Sequence, residues 1–177
     1  EVCRKLDWDN TAPVVNVQGD APLIPPASIR RVAGLLLANP DASLATLCVA
    51  IRSAEEFNDP NVVKVVFDRA GKAMYFSRAS IPGSGHGQGP EIVWHSAWRH
   101  LGLYAYRADS LQVLSQTPPC ELEETERLEQ LRAMWLGMTI LIEADVDAHG
   151  PDVDTAEDLA KVAAILRAGV IQRGQQW

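Results

Sequence analysis

The chain has 177 residues, of which 47% are hydrophobic and 22% charged, and its formal net charge at pH 7 is −7. This length suffices for a buried core, and we interpret residues 1–177 as a single domain. A net negative surface repels phosphate backbones, which argues against a nucleic-acid partner. The sequence contains neither a signal-peptide pattern nor an apolar run of the roughly 20 residues that span a bilayer, so we expect no membrane association.

The three cysteines, Cys3, Cys48 and Cys120, are odd in number and far apart in the sequence. This pattern favours neither a disulfide framework nor a zinc site. We therefore expect reduced thiols and a cytoplasmic protein.

The first part of the chain alternates between strand and helix patterns. Apolar strands are predicted at residues 14–17 and 44–51, and the helix between them begins near Pro26 and ends before Pro40. The order strand, helix, strand is typical of an α/β fold with crossover connections. Fully apolar strands favour a mainly parallel sheet.

The middle of the chain predicts a β-hairpin followed by a long strand. The β-branched and aromatic runs 61–68 and 72–77 flank a turn that has Gly71 at its tight position. Residues 98–107 form the next predicted strand. Its alternation places His100 and Tyr104 on one face of the sheet.

The last part of the chain predicts two helices and a strand. Residues 121–136 have the apolar periodicity of one amphipathic helix, which Gly137 ends. A strand follows at residues 139–144. The final helix is predicted from about residue 155 to residue 168, with Gly169 as its C-terminal cap.

A glycine-rich segment, residues 82–90, raises the question of a phosphate-binding loop. Its pattern is Gly-x-Gly-x-Gly-x-Gly, without the lysine or the following helix that nucleotide-binding loops need. We interpret it as a connecting loop.

Two carboxylates are candidates for a metal site. Asp20 follows the strand 14–17, where it either forms a turn or binds a metal ion at the end of a parallel strand. Magnesium is usually held by one or two carboxylates and substrate phosphates, and Asp154 could supply the second carboxylate. Asp154 either caps the last helix or is left free because Thr155 caps it with Asp158, and the spacing does not decide between these.

Five polar residues are candidates for a binding pocket. Their side chains would suit an acidic, hydroxyl-rich ligand such as a sugar acid if they converged. The alternative is scattered surface polarity, and the sequence pattern leaves both open. The five are Arg78, His100, Tyr104, Glu129 and Gln130.

Seven segments, in order along the chain, resemble the family of 3-deoxy-manno-octulosonate cytidylyltransferases (CMP-Kdo synthetases). The resemblance covers residues 1–166, nearly the whole chain, and the ordered set is far more specific than any one segment. The segments are 15–20 (VNVQGD), 22–26 (PLIPP), 63–66 (VKVV), 75–79 (YFSRA), 99–107 (RHLGLYAYR), 128–132 (LEQLR) and 153–159 (VDTAEDL).

The resemblance implies an enzyme that transfers CMP from CTP to the anomeric hydroxyl of 3-deoxy-manno-octulosonate (Kdo) and releases pyrophosphate. It implies catalytic, Mg²⁺-binding roles for Asp20 and Asp154. It also implies a homodimer and a product used in lipopolysaccharide synthesis. The implied substrate-binding residues are Gln18, Arg78, His100, Tyr104, Glu129 and Gln130.

The implied fold is a Rossmann-like sheet of the nucleotidyltransferase type. The chain would be the C-terminal two thirds of such a domain, with residues 61–107 as a β-hairpin insertion used for dimerisation. Members of the family usually have Glu at the position of Ala21 and Gly at the position of Asp152. They also begin with a nucleotide-binding segment that would precede Glu1, and we therefore expect the chain alone not to form CMP-Kdo.

Two other functions stay open from the sequence. The first is a cytidylyltransferase for another acidic acceptor, such as an 8-amino Kdo analogue, a sialic acid or a phosphonate. The second is an inactive partner subunit that pairs with an intact enzyme.

Overall fold

Six strands form one sheet in the computed structural model, which describes residues 5, 7–85, 94–146, 150, 153 and 155–174, the last six by backbone alone. The sheet order is β4–β3–β5–β2–β6, and β1 also pairs with β5. The strands are β1 (Pro13–Asn16), β2 (Leu44–Ala50), β3 (Lys64–Phe67), β4 (Ala73–Ser77), β5 (Trp98–Arg107) and β6 (Ile140–Ala144). The helices are α1 (Pro26–Ala38), α2 (Ala54–Asn58), α3 (Ala108–Gln116), α4 (Glu121–Glu126), α5 (Gln130–Trp135) and α6 (Ala156–Gly174), with a 3₁₀ turn at Trp94–Ser96.

The α/β class and the β3–β4 hairpin are confirmed, but the sheet is mixed. Among the described strands, only β2 and β6 pair in parallel, whereas β5 runs antiparallel to β1, β2 and β3. The expectation of a mainly parallel sheet is therefore corrected. An apolar run predicts a buried strand but not the direction of its neighbours, and β5 inserts between β1 and β2.

Both faces of the sheet are covered by helices. On one face, Val32 and Leu36 of α1 pack on Leu47 and Leu103. On the other, residues of α5 and the turn before it pack on Phe76 and other strand residues. Because β5 lies at the centre of the sheet and under both layers, its local geometry affects each of them.

Two helix predictions need correction. The predicted helix 121–136 is two helices, α4 and α5, because Arg127 adopts a left-handed conformation with φ of 54°. The turn lets Leu128 enter the core while Glu123 forms an ion pair with Arg132 at 2.9 Å. The last helix continues past Gly169 to Gly174, since one glycine inside a helix costs only about 1 kcal/mol.

Helices α2 and α3 were not predicted. For α2 the signal was present: Ser53 accepts a hydrogen bond from the Glu56 N–H at 3.2 Å, the S-x-x-E capping pattern. Residues 86–90 of the glycine-rich segment lie outside the described residues.

The hairpin turn should tolerate no side chain at Gly71. Its φ is +78°, and a Cβ atom there would lie 2.8 Å from the Ile142 carbonyl oxygen. We expect Gly71→Ala to lower the free energy of unfolding by about 2 kcal/mol or more, from left-handed strain plus this clash. Urea denaturation measures the change.

Gly34 provides the matched control, because it lies inside α1 with open space around its Cα. Gly34→Ala should raise the free energy of unfolding by about 0.5–1 kcal/mol. Equal effects of the two substitutions would contradict the role assigned to the Gly71 turn.

Candidate active site

A two-residue bulge in β5 shapes the centre of the sheet. Thr46 of β2 pairs with Tyr104, but the next residue, Leu47, pairs with Leu101, so Gly102 and Leu103 have no partner on β2. The fully buried Thr46 hydroxyl fills this irregularity. Its oxygen lies 2.8 Å from the Leu103 carbonyl oxygen, 3.1 Å from that of Leu101 and 2.9 Å from Nε2 of His100.

A cavity of about 450 Å³ lies along the same part of β5, on the side away from β2. There the neighbouring strand changes from β3, paired at Trp98 and Arg99, to β1, whose pairing begins at Tyr104. Gly102 at the cavity lets Gln18 approach, because a Cβ there would be 3.3 Å from the Gln18 Oε1 atom. The gap between two strand partners is thus what creates the cavity.

The structure brings three of the predicted substrate-binding residues together here. Gln18, Arg78 and His100 all line the cavity, and Arg99 adds a second guanidinium. An anion entering the cavity would therefore meet two cationic side chains.

Arg78 is held rigidly by its neighbours. Its backbone N–H donates to the Glu126 carboxylate at 3.0 Å. Its Nε–H donates to the Glu126 carbonyl at 3.0 Å, and its Nη1 donates to the Pro60 carbonyl at 3.0 Å. The guanidinium has further N–H donors, which suit a carboxylate or a phosphate.

His100 connects the cavity to a row of aromatic side chains. Its ring centroid lies 5.0 Å from that of Phe76 and 5.1 Å from that of Tyr104, which lies 5.6 Å from Tyr106. The predicted common face of His100 and Tyr104 is therefore confirmed. Burial lowers the pKa of His100 to about 3, so its imidazole is neutral at physiological pH.

The tautomer of His100 follows from Thr46. The Thr46 hydroxyl has one proton and two carbonyl neighbours, Leu101 and Leu103, which can only accept. We therefore assign that proton to a carbonyl and the tautomer of His100 that donates from Nε2 to the Thr46 oxygen. The other ring nitrogen is left as a hydrogen-bond acceptor.

Tyr104, Glu129 and Gln130 do not line the cavity, although the Tyr104 ring contacts that of His100. The Tyr104 hydroxyl is buried and has no hydrogen-bond partner in the part of the chain that the structure describes. Burial, with Tyr106 and Glu129 adding to it, raises the pKa of Tyr104. Gln130 is buried at the start of α5, whereas Glu129 is exposed.

Of the two predicted metal ligands, the structure describes Asp20. Asp20 is exposed in the turn after β1, and its carbonyl oxygen accepts a hydrogen bond from the Val153 N–H at 2.7 Å. Asp154 itself lies outside the described residues. Thr155 caps α6, since its Oγ1 accepts from the Asp158 N–H at 3.2 Å and the Asp158 carboxylate accepts from the Thr155 N–H at 3.2 Å.

This capping settles one open alternative, because α6 does not need Asp154 as its cap. Across the described ranges, no three Asp, Glu, His or Cys side chains form a metal-binding group. Magnesium requires only one or two carboxylates beside substrate phosphates, so an exposed Asp20 joined to the segment before α6 fits such an ion.

Sequence reasoning did not identify Thr46, Lys64 or Glu126. Thr46 bonds to His100, and Lys64 and Glu126 bond to the backbone of Arg78. A charged residue inside the apolar run of β3 was the available signal for Lys64, since lysine is rarely buried without a purpose. No local pattern marks Thr46, whose importance comes from the bulge on the neighbouring strand.

Comparison with known proteins identifies relatives of the whole chain. A family model described as cytidylyltransferase matches residues 1–140. The 3-deoxy-manno-octulosonate cytidylyltransferase of Alcanivorax borkumensis is 47% identical over 170 residues, which are 94% of this chain and 67% of that protein. The one from Photobacterium profundum is 47% identical over 168 residues, 94% of this chain and 67% of that protein.

A third relative, 3-deoxy-manno-octulosonate cytidylyltransferase 2 of Burkholderia ambifaria, is 43% identical over 169 residues, 94% of this chain and 63% of that protein. The chain thus spans about two thirds of the length of the curated relatives it matches. These matches confirm the resemblance seen in the seven sequence segments.

Solved structures agree with this comparison. A CMP:2-keto-3-deoxy-manno-octonic acid synthetase complexed with CTP superposes with a TM-score of 0.83 at 38% identity, covering 95% of this chain and 66% of that one. A putative glucose-1-phosphate thymidylyltransferase from Bacillus anthracis shares the fold at 15% identity, with a TM-score of 0.54 over 94% of this chain and 58% of that one. The Rossmann-like fold of the nucleotidyltransferase type is confirmed.

The neutral His100 should make stability depend on pH. The unfolded chain takes up a proton at this residue near pH 6.5, whereas the folded chain resists it until about pH 3. The contribution of His100 to the free energy of unfolding is therefore fully present above pH 6.5. It falls as the pH drops through this window, by at most about 1.4 kcal/mol per pH unit.

Urea denaturation between pH 7.5 and 4.5 measures this slope, and His100→Gln serves as the control that has an amide in place of the imidazole and cannot titrate. We expect the wild-type protein to lose stability with falling pH more steeply than the variant. Parallel curves for the two proteins would contradict an imidazole of His100 that stays neutral in the folded protein.

Proposed function

Because the chain belongs to the 3-deoxy-manno-octulosonate cytidylyltransferase family, we propose that it acts in the transfer of CMP from CTP to 3-deoxy-manno-octulosonate and binds this sugar acid beside the β5 bulge. The observation that carries the proposal is the convergence of Gln18, Arg78 and His100 on one cavity, with Tyr104 in contact with His100 behind it. Cationic donors, a neutral imidazole and a phenol match a carboxylate that carries several hydroxyls.

The reaction forms one bond and breaks another at the α-phosphorus of CTP. The anomeric hydroxyl oxygen of the sugar acid attacks that phosphorus, and the bond to the departing pyrophosphate breaks with its electron pair going to pyrophosphate. The hydroxyl proton is released. Such a transfer depends mainly on positioning and on neutralising phosphate charge, so fixed acceptor contacts contribute directly to the rate.

The residues around the bulge divide the recognition of the acceptor among them. Arg78 offers the N–H donors left over from its bonds to Glu126 and Pro60 to the sugar carboxylate. His100, neutral and donating through Nε2 to Thr46, accepts from a sugar hydroxyl at its other nitrogen. The Tyr104 hydroxyl, which lies next to His100 and lacks a partner within the described part of the chain, would take a ligand hydroxyl that reaches past the imidazole.

Magnesium would be held by Asp20 and Asp154. The support is the exposed Asp20, its backbone bond to Val153 and the capping of α6 by Thr155 instead of Asp154. When bound, the ion would neutralise charge on the CTP phosphates. Gln18, two residues before Asp20, lines the acceptor cavity, so the metal-binding turn and the acceptor site lie side by side.

The assembly and the cellular setting are part of the proposal. A homodimer through segment 61–107 is supported by β4, which pairs only with β3 among the described strands and exposes Met74.

A cytoplasmic setting is supported by the free, buried thiols of Cys48 and Cys120. No described helix is long and apolar enough to span a membrane. The product would serve lipopolysaccharide synthesis.

Tyr104→Phe tests the acceptor site. Removing a buried hydroxyl that has no protein partner should leave the free energy of unfolding unchanged or raise it by up to about 1 kcal/mol. It should weaken the binding of 3-deoxy-manno-octulosonate about tenfold, the loss of roughly one hydrogen bond. Isothermal titration calorimetry and urea denaturation measure the two quantities. Lower stability with unchanged affinity would contradict the proposal.

Asp20→Asn tests the metal site without an activity assay. Paramagnetic Mn²⁺, used in place of Mg²⁺, should broaden the amide NMR signals of Gly19, Asp20 and Val153 in the wild-type protein. The substitution removes the carboxylate charge but keeps the backbone bond to Val153, so the broadening should require at least tenfold more Mn²⁺.

Asp41→Asn is the matched control, since Asp41 is an exposed carboxylate in the loop between α1 and β2. It should leave the broadening near Asp20 unchanged. If both variants, or neither, required more Mn²⁺ for the same line broadening, Asp20 would not be a ligand.

A further inference from the structure

A lysine is completely buried beside the proposed acceptor cavity. Lys64 of β3 has 0% of its surface exposed, although lysine is among the residues least often buried. Its ammonium group donates three hydrogen bonds, to the carbonyl oxygens of Asp59 at 2.9 Å, Val62 at 2.6 Å and Arg78 at 2.7 Å. All the N–H donors of the ammonium are thereby used within the protein.

The three carbonyls belong to two separate walls of the cavity. Asp59 and Val62 lie in the loop before β3, and residues 61–63 of that loop line the cavity. Arg78 follows β4 and lines the cavity as well. One cation therefore holds the loop and the arginine at a fixed separation.

Both backbone polar groups of Arg78 are held by charged side chains. Its N–H donates to the Glu126 carboxylate, and its C=O accepts from Lys64. Its guanidinium also reaches back to the Pro60 carbonyl, in the loop that Lys64 holds. Lys64 and Arg78 thus hold the same loop from two sides.

An ammonium is an expensive way to fill buried space. Moving a charge out of water costs several kcal/mol unless close partners compensate for it. Burial lowers the pKa of Lys64, the charges of Asp59 and Glu126 favour its protonated form, and that of Arg78 opposes it. An apolar residue would fill the space at lower cost, but it would leave three carbonyls unpaired and the loop unfastened.

We propose that Lys64 is a positioning residue for acceptor recognition, which acts by holding the Arg78 guanidinium and the cavity wall at residues 61–63 in the geometry that the sugar acid requires. This inference rests on the proposed function, since it takes the cavity as the acceptor site. Lys64 does not contact the acceptor, because its donors are already committed to the protein.

Lys64→Met removes the ammonium and keeps a stem of similar length. We expect the dissociation constant for 3-deoxy-manno-octulosonate, measured by calorimetry, to rise at least tenfold. Lys72→Met is the matched control, because Lys72 lies in the same hairpin but is exposed. It should change the dissociation constant by less than twofold.

A second control separates positioning from general loss of stability. Ile140 is fully buried in β6, which β2 separates from β5, and it does not line the cavity, so Ile140→Val destabilises the fold away from the site. At a temperature where the variants are folded, Ile140→Val should bind the sugar acid as the wild-type protein does. Equal weakening in Ile140→Val and Lys64→Met would overturn the positioning role.

The outcomes distinguish the inference from its premise. If the wild-type protein does not bind the sugar acid, the proposed function fails. If the wild-type protein binds it and Lys64→Met binds within twofold of the wild type, the inference alone fails.

A measurement on the unaltered protein covers the case in which Lys64→Met does not fold. An ammonium with three internal hydrogen bonds exchanges slowly enough to be followed by ¹⁵N NMR. We expect the Lys64 Nζ signal to shift when the sugar acid is added, in proportion to occupancy of the site. An Nζ signal that stays unchanged at saturation would overturn the inference.

Discussion

The hydroxyl of Thr46 holds the bulge of β5, and the arrangement of the site depends on this contact. Its oxygen lies within hydrogen-bond distance of the carbonyls on both sides of the unpaired Gly102 and of Nε2 of His100. The bulge lies where the partner of β5 changes from β3 to β1, which is where the cavity opens. The gap between β3 and β1 forms the cavity on one edge of β5, and the Thr46 contact holds the two-residue bulge on the opposite edge of the same strand segment.

At the hairpin, charged side chains hold the backbone beside the cavity in place. Lys64 and Glu126 bind the backbone of Arg78 from opposite sides, so that Arg78 is fixed by charge-assisted hydrogen bonds. Glu126 also accepts from the Ser77 hydroxyl at 2.7 Å, and it ends α4 one residue before the left-handed Arg127. The turn that carries Glu129 and Gln130 is thereby joined to the hairpin, which places this turn and the cavity-lining Arg78 on one connected framework.

The parts of the structure that depend on neighbouring residues in the sequence were predictable. Gly71 marked the hairpin turn, and strand alternation placed His100 and Tyr104 on one face even across the bulge, because two extra residues preserve a period of two. The strand directions were not predictable, since apolar runs do not encode their partners. The helix break at Arg127 was not predictable either, because arginine has no preference for positive φ. The left-handed conformation is favoured here because it allows Leu128 to be buried.

The start of α6 shows how a tertiary contact decides what spacing leaves open. Two capping patterns, one residue apart, fit the sequence equally well. In the structure Thr155 and Asp158 cap each other's backbone N–H groups, and the Val153 N–H bonds to the Asp20 carbonyl. The helix start is therefore joined to the turn after β1 by a backbone hydrogen bond. This bond uses the Asp20 carbonyl and the cap uses Thr155, so neither contact involves the exposed Asp20 carboxylate, and an exposed carboxylate of this kind suits a hard cation.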